Sequence, residues 1–306
     1  MDSIFVIEQL LNGLGYGFML FLLAAGLTLV FGIMDTMNLA HGSLFMAGGY
    51  VAATVHTQTN SFIAAVLAAV AVTMLVALLL ELFLVRRLYG RDHLAQVMAT
   101  FGVILIADDV VKAIWGPSPL MAPTPAGLTN PVQILPDLPY PSYRLVILGA
   151  GLAIALGLYL LVNHTRVGML VRAGASNRKM AELMGVRVRG IFTWVFLLGA
   201  ALAAVAGALM GPISAVEIGM GEAILIPALV VIVIGGIGSI RGVFIASMLV
   251  GLVDIAGRAF LPPMLRATLP PSIAADLAPA LTGIAIYALM AGVLAFKPAG
   301  LFPARA

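Results

Sequence analysis

The sequence predicts an all-α, polytopic membrane bundle, and three observations carry that prediction. The 306 residues are 62% hydrophobic and only 9% charged, with a mean hydropathy of +1.13. A soluble domain carries roughly 25% charged residues, so this chain cannot coat a water-facing surface and its main solvent is lipid. Apolar stretches recur at about 10–32, 41–57, 61–85, 94–115, 143–163, 190–212, 222–238, 241–258 and 279–296. None alternates apolar with polar residues as a barrel strand does, and lipid obliges backbone groups to pair within the segment, so the spans are helices.

The first stretch follows Asp2 and Glu8, where a signal peptide would carry basic residues, and is expected to stay as an anchor. The stretches at 41–57, 222–238 and 241–258 are shorter and rich in glycine, as broken or re-entrant helices are. The connections set the orientation. Arg86, Arg87 and Arg91 share one; Arg166, Arg172, Arg178, Lys179, Arg187 and Arg189 share another with a single acid, Glu182; Lys297 and Arg305 close the chain. Placed in the cytoplasm with Arg241, they leave Lys112, Arg144, Arg258 and Arg266 outside among Asp2, Glu8, Asp108, Asp109, Asp137, Glu217, Glu222 and Asp276. Nine crossings then put the N-terminus outside and the C-terminus inside.

The connection at about 116–142, GPSPLMAPTPAGLTNPVQILPDLPYPS, has eight prolines and no basic residue, and suits a rigid external loop or a short interfacial element. No stretch suits a soluble domain, so residues 1–306 read as one membrane domain. The chain has no cysteine, which excludes disulfides and thiolate metal sites. His41, His56, His93 and His164 show no metal-ligand spacing. A pI near 9.4 reads as membrane orientation rather than nucleic-acid binding, because the basic residues flank apolar stretches.

Two segments combine an apolar run, a small or polar interruption and a second apolar run. One is GIMDTMNLAHGSLFMAGGY, Gly32 to Tyr50, which holds Asp35, Asn38, His41 and Gly42; the other is Val230 to Asp254, which holds Gly235, Gly236, Gly238 and Ser239. Interrupted segments in two halves of a chain point to a two-half repeat and a transport pathway, since backbone unwinds in a membrane only against protein or water. Two other readings stay open. Asp35, Asn38 and His41 also fit a solvated cytoplasmic turn, and the glycines also fit a tight turn or close packing. Gly13, Gly17, Gly207 and Gly211 have the small-xxx-small spacing of helix contacts. GGIGSIRG is not a dinucleotide fingerprint, because its third glycine would fall on Arg241.

The basic connection at about 164–190 contains ASNRKMAELMG, a short amphipathic helix. Ser176 or Asn177 can cap it, Met180, Leu183 and Met184 share a face, and Gly185 ends it. Such a face docks into a partner's groove or lies on anionic lipid. The sequence contains no Walker A pattern, so any ATP hydrolysis belongs to another chain.

Four motifs in order then carry a resemblance. GLTLVFGIMDTMNLAHGSLFMAGGYVAA places Gly26, Gly32, Ile33, Met37, Asn38, Ala40, His41 and Gly42 on a G-x-x-x-x-x-G-[IM]-x-x-[IM]-N-x-[AS]-H-G pattern. RAGASNRKMAELMGVRVRGI places Arg172, Ala173, Ala175, Ala181 and Gly185 on a coupling-loop pattern. VVIVIGGIGSIRG and FKPAGLF follow. Together these resemble the smaller permease type of branched-chain amino acid ABC importers. The resemblance implies a multi-pass protein of the bacterial inner membrane that is not itself an enzyme. It also implies a second homologous permease, two cytoplasmic ATP-binding subunits and a periplasmic or extracellular binding protein. It further implies that this chain binds no cofactor and that ATP and Mg lie on the ATPases. The loop from Arg172 to Gly185 would enter an ATPase cleft, with Met180, Leu183 and Met184 as its apolar face, and Asp35 to Gly42 and Gly235 to Ser239 would line the pathway. Two positions depart from the pattern: Ser176–Asn177 replace a frequent acidic pair, and Arg241 replaces a frequent proline.

Relatives of this type carry branched-chain or other amino acids, urea, short amides or aromatic acids, which leaves the substrate open. A rival of another class is a gradient-driven carrier or channel acting alone. It needs an intramembrane relay, for which Asp108 and Asp109 are the candidates, with Lys112 one turn on to neutralise one of them.

Overall fold

The computed structural model describes residues 3–136, 138–176 and 178–302. All nine apolar stretches are helical. They form α1 (Ser3–Met34), α2 (His41–Thr59) and α3 (Phe62–Leu80), which runs through a π-helical turn (Glu81–Val85) into the one-turn α4 (Arg86–Leu88), then α5 (His93–Trp115). After the proline-rich connection come α6 (Ser142–His164), α7 (Arg166–Ser176), α8 (Arg178–Leu183), α9 (Val188–Met210), α10 (Met220–Gly235), α11 (Ile240–Arg266) and α12 (Pro271–Phe296). Six of these helices are long and apolar enough to span a bilayer, whereas α10 has only 16 residues. The chain is a multi-pass membrane protein with an all-α bundle.

The connection at 116–142 is more ordered than a loop. It folds into an antiparallel hairpin, β1 (Pro131–Leu135) and β2 (Leu138–Pro141), with Pro131 opposite Pro141. Prolines are tolerated because a two-stranded hairpin has two edges and no strand beyond them to miss an N–H. Tyr140, on β2, is fully buried.

Side-chain bonds sort the helix ends into two groups. At one end Arg86 reaches Thr193, Tyr89 stacks on Phe192, and Arg241 lies over Tyr159. This end also carries α7 and α8. At the other end Tyr140 binds Asn12, Tyr143 binds the Leu209 carbonyl, and Trp115 binds Thr54. Basic residues gather at the first end, which the positive-inside rule places in the cytoplasm. The N-terminal part of α1 lies at the opposite, external end.

The bundle is built around α1, whose most apolar window is 83% buried, against 17% for α12 and 22% for α3. The last two face lipid. Close approach depends on small residues. A Cβ on Gly48 would fall 2.5 Å from the Ala204 Cα, and one on Gly17 2.9 Å from the Ser247 carbonyl oxygen. Gly13, Gly17 and Gly207 hold such contacts, but Gly211 faces Ala122 and Val216 instead of a helix backbone.

A second break between helices lies at 211–219, so that α9 and α10 flank it as α1 and α2 flank the break at 35–40. The N-termini of α2 and α10 meet in the middle of the bundle, where a Cβ on Gly221 would lie 2.5 Å from the Gly42 carbonyl. The glycine-rich run at 235–239 is instead the turn between α10 and α11. Asp108 and Lys112 also differ from expectation. Among the described residues they form no ion pair, and Asp108 Oδ1 is buried without a partner. Lys112 is exposed and its ammonium is left to the surroundings.

Candidate functional site

The break before α2 is half-buried in the bundle, with Thr36, Asn38 and Ala40 inside, so its freed backbone groups need partners. Asp35 takes a left-handed conformation (φ 50°), with its N–H bonded to the Phe31 carbonyl. The Met37 N–H donates to Gln96 Oε1 at 2.9 Å, and the Leu39 N–H donates to Thr100 Oγ1 at 3.2 Å. Gln96 also donates to the carbonyls of Leu88 and Arg91, tying the break to the turn before α5. The Ala40 N–H is held by Asn38 Oδ1. Gln96 and Thr100 went unread in the sequence. Their signal was two polar residues at i, i+4 in an apolar stretch.

His41 is 1% exposed and wedged between Gly26 and Gly199, and its Nε2 finds no partner among the described residues. Asn38 is equally buried. Asp35 is exposed. The sequence's two readings thus divide between residues: Asp35 occupies a turn, while Asn38, His41 and Gly42 sit inside a broken segment.

Gly236 (φ 97°) and Gly238 (φ 79°) form the α10–α11 turn, and Ser239 caps α11 by accepting from the Gly242 N–H at 3.2 Å. The Leu301 N–H binds the Ile234 carbonyl and the Phe302 N–H binds the Gly235 carbonyl, so the FKPAGLF stretch folds onto the end of α10. A Cβ on Gly32 would fall 2.5 Å from the Gly238 Cα. Together these contacts pack the end of α1 and the tail against the α10–α11 turn.

At the external end a cavity of about 710 Å³ opens between α1, α6, α11 and the break at 211–219. Met19, Phe45, Ile147, Met220 and Ile224 give it an apolar lining, and its charged residues are Arg144, Glu217, Asp254 and Arg258. Arg258 binds Asp254 through two hydrogen bonds, 2.7 and 3.1 Å. Arg144 donates to Asn12 Oδ1, which also accepts from the Tyr140 hydroxyl. Burial pushes the Tyr140 phenol up, which keeps it protonated as that donor. None of Asp35, Asn38, His41, Gly42, Gly235, Gly236, Gly238 and Ser239 lines the cavity, although Gly42 touches Gly221, the neighbour of its lining residue Met220. The sequence offered Arg144, Glu217 and Arg258 only as scattered external charges, and Asp254 only as the end of an interrupted segment.

In the basic connection, α7 lies against α6 with Val171 buried, and Arg172 donates to the Val162 carbonyl. Ala173 is exposed, and Ala175 lies near the end of α7. In α8, Ala181 faces inward, while Met180, Leu183 and Met184 are 56%, 83% and 78% exposed. Gly185 (φ 83°) ends the helix, with its N–H on the Glu182 carbonyl and the Val186 N–H reaching back to Ala181. The cap expected from Asn177 lies outside the described residues.

Two broken segments, a cavity at the external end and an exposed helical handle at the other are the build of a membrane transport subunit. The sequence matches the family described as branched-chain amino acid transport system, permease component, over residues 9–294. The chain belongs to that family. It is 27% identical to the high-affinity branched-chain amino acid transport system permease protein BraD of Pseudomonas aeruginosa, over 96% of this chain and 95% of that one. It is 26% identical to the permease protein LivH of Escherichia coli, over 84% of this chain and 88% of the relative. A probable LivH of Methanocaldococcus jannaschii is 27% identical over 78% of this chain and 77% of its own. No solved structure matches the chain.

Proposed function

We propose that this permease is the translocating subunit of an ATP-driven importer for branched-chain or other apolar amino acids in a bacterial inner membrane. It works with a second permease subunit, two ATP-binding subunits that hold ATP and Mg, and an external binding protein. The observation that carries this reading is the α7–α8 handle, whose exposed tip, Leu183–Met184, hangs on α6 and α9. Those two helices run the length of the bundle and end at the cavity, through Arg144 and Ile147 on α6 and Met210 on α9. A push on the tip therefore reaches the cavity walls along rigid rods. Closure of the ATPases on Arg172 to Gly185 tilts α6 and α9, opens the cytoplasmic seal and releases what the cavity holds.

Exchanging both Leu183 and Met184 for glutamate tests the assignment. Uptake in reconstituted vesicles is expected to fall about tenfold or more, as when a buried interface anchor is lost, with less ATPase copurifying. Thermal stability should hold, because neither side chain is packed in the isolated subunit. Normal uptake and copurification would remove the handle from the mechanism. A carrier acting alone would transport without any ATPase present, so activity of the purified single chain decides between the two classes.

A further inference from the structure

We propose that the external cavity is a transit site for a zwitterionic α-amino acid. Arg144 takes the carboxylate, Glu217 takes the ammonium, and the lining of Met19, Phe45, Met220 and Ile224 takes the apolar side chain. The proposal rests on the importer reading above and adds the ligand's chemistry and the residues that recognise it.

The first observation is a pair of opposite charges left apart. Arg144 has no carboxylate within ion-pair distance among the described residues; its partners, Asn12 and the Tyr140 phenol, are neutral. Glu217, on the break at 211–219, forms neither an ion pair nor a side-chain hydrogen bond among the described residues. Both line the same cavity. The Asp254–Arg258 pair beside them is closed with two bonds, so charges that can meet here do meet. A guanidinium carries five donors and a carboxylate about four acceptor sites, and Arg144 has spent little of that capacity. A ligand with both signs satisfies the two groups at once. A simple carboxylate or a simple amine compensates one of the two charges at most, and urea or a short amide can hydrogen-bond both groups but neutralises neither, although Glu217 is exposed and keeps its water until a ligand arrives.

The second observation is neutrality. The four charged residues of the cavity, Arg144, Arg258, Asp254 and Glu217, sum to zero. A net-neutral zwitterion enters without leaving uncompensated charge, whereas a cation or an anion does not. The third is shape. Phe45 is 2% and Met19 5% exposed, so the lining is firmly packed, and methionine adapts to branched side chains of different outline. The volume of about 710 Å³ lies within the ordinary range of small-molecule sites.

The absence of native cysteine makes the test direct. Ser214 lines the cavity, and Ser214→Cys introduces the chain's single thiol. The assembled transporter in proteoliposomes is exposed to a membrane-impermeant thiol reagent, with labelling of this chain read by mass spectrometry. Leucine at millimolar concentration is expected to slow labelling about tenfold, the scale of one or two charge-assisted hydrogen bonds. The acid without the amine (4-methylpentanoate) and the amine without the acid (3-methylbutylamine) should leave the rate within about twofold. Adding Arg144→Gln or Glu217→Gln should abolish protection by leucine, read in each variant as the ratio of labelling rates without and with leucine, and Arg144→Lys should keep part of it. Protection that survives both glutamine variants, or is given equally by either analogue, overturns the assignment. Uptake by the same vesicles with binding protein and ATP separates the two claims. Vesicles that import leucine but show no protection sink the site alone, whereas vesicles that import no leucine sink the importer reading and the site with it.

Discussion

Asp35 shows how one residue can be visible in a sequence while its surroundings are not. An acid inside an apolar stretch drew attention as a pathway ligand, yet its backbone lies at φ 50° and its side chain is exposed at the end of α1. A non-glycine residue in that region is strained by roughly 1 kcal/mol. Asp35→Gly is therefore expected to raise the thermal midpoint or leave it unchanged, and to leave uptake intact. A loss of uptake with normal folding would restore Asp35 as a ligand. His41 is the opposite case. Its burial between Gly26 and Gly199 depends on residues distant in sequence, so its packing role could not be read locally.

Among the elements, α8 was the most legible. Its face, its glycine stop and its exposure all follow from a few neighbouring residues, and local rules govern all three. The break before α2 was legible as an interruption, but its support was not, because that support comes from α5. Gln96 satisfies one amide in the break and two carbonyls beyond it. Gln96→Leu should lower stability by about 2 kcal/mol, the cost of leaving buried polar groups unpaired. It should also speed hydrogen exchange at Met37. An unchanged melting point would mean that other groups satisfy the break. The pairing of the two breaks was missed because GGIGS is a louder local signal than GPISAVEIG, although the latter holds the structural counterpart.

For the whole molecule, what matters is that the two ends differ. The cavity lies at the external end, while at the cytoplasmic end Gly32 packs against Gly238 and the tail lies on α10, contacts that we take as the seal. Gly300 (φ 85°) lets the tail turn there, and a Cβ on it would fall 2.6 Å from the Gly236 Cα. Gly300→Val should lift the tail and increase passive leak of leucine from preloaded vesicles several-fold without ATP, since a β-branched residue cannot hold that conformation cheaply. A leak equal to that of the unaltered protein would place the seal elsewhere.

The sequence by itself determined that this chain lives in lipid, where its helices run, which end is basic and where the handle ends. Composition, charge placement and short-range periodicity each act over one or two helical turns. Only the tertiary structure decided that Arg144 and Glu217 share a cavity, that Gln96 supports a distant break and that α2 and α10 meet tip to tip. Those relations join residues from different helices, and in a bundle of near-uniformly apolar segments helix-to-helix geometry is set by small-residue contacts that sequence periodicity does not encode.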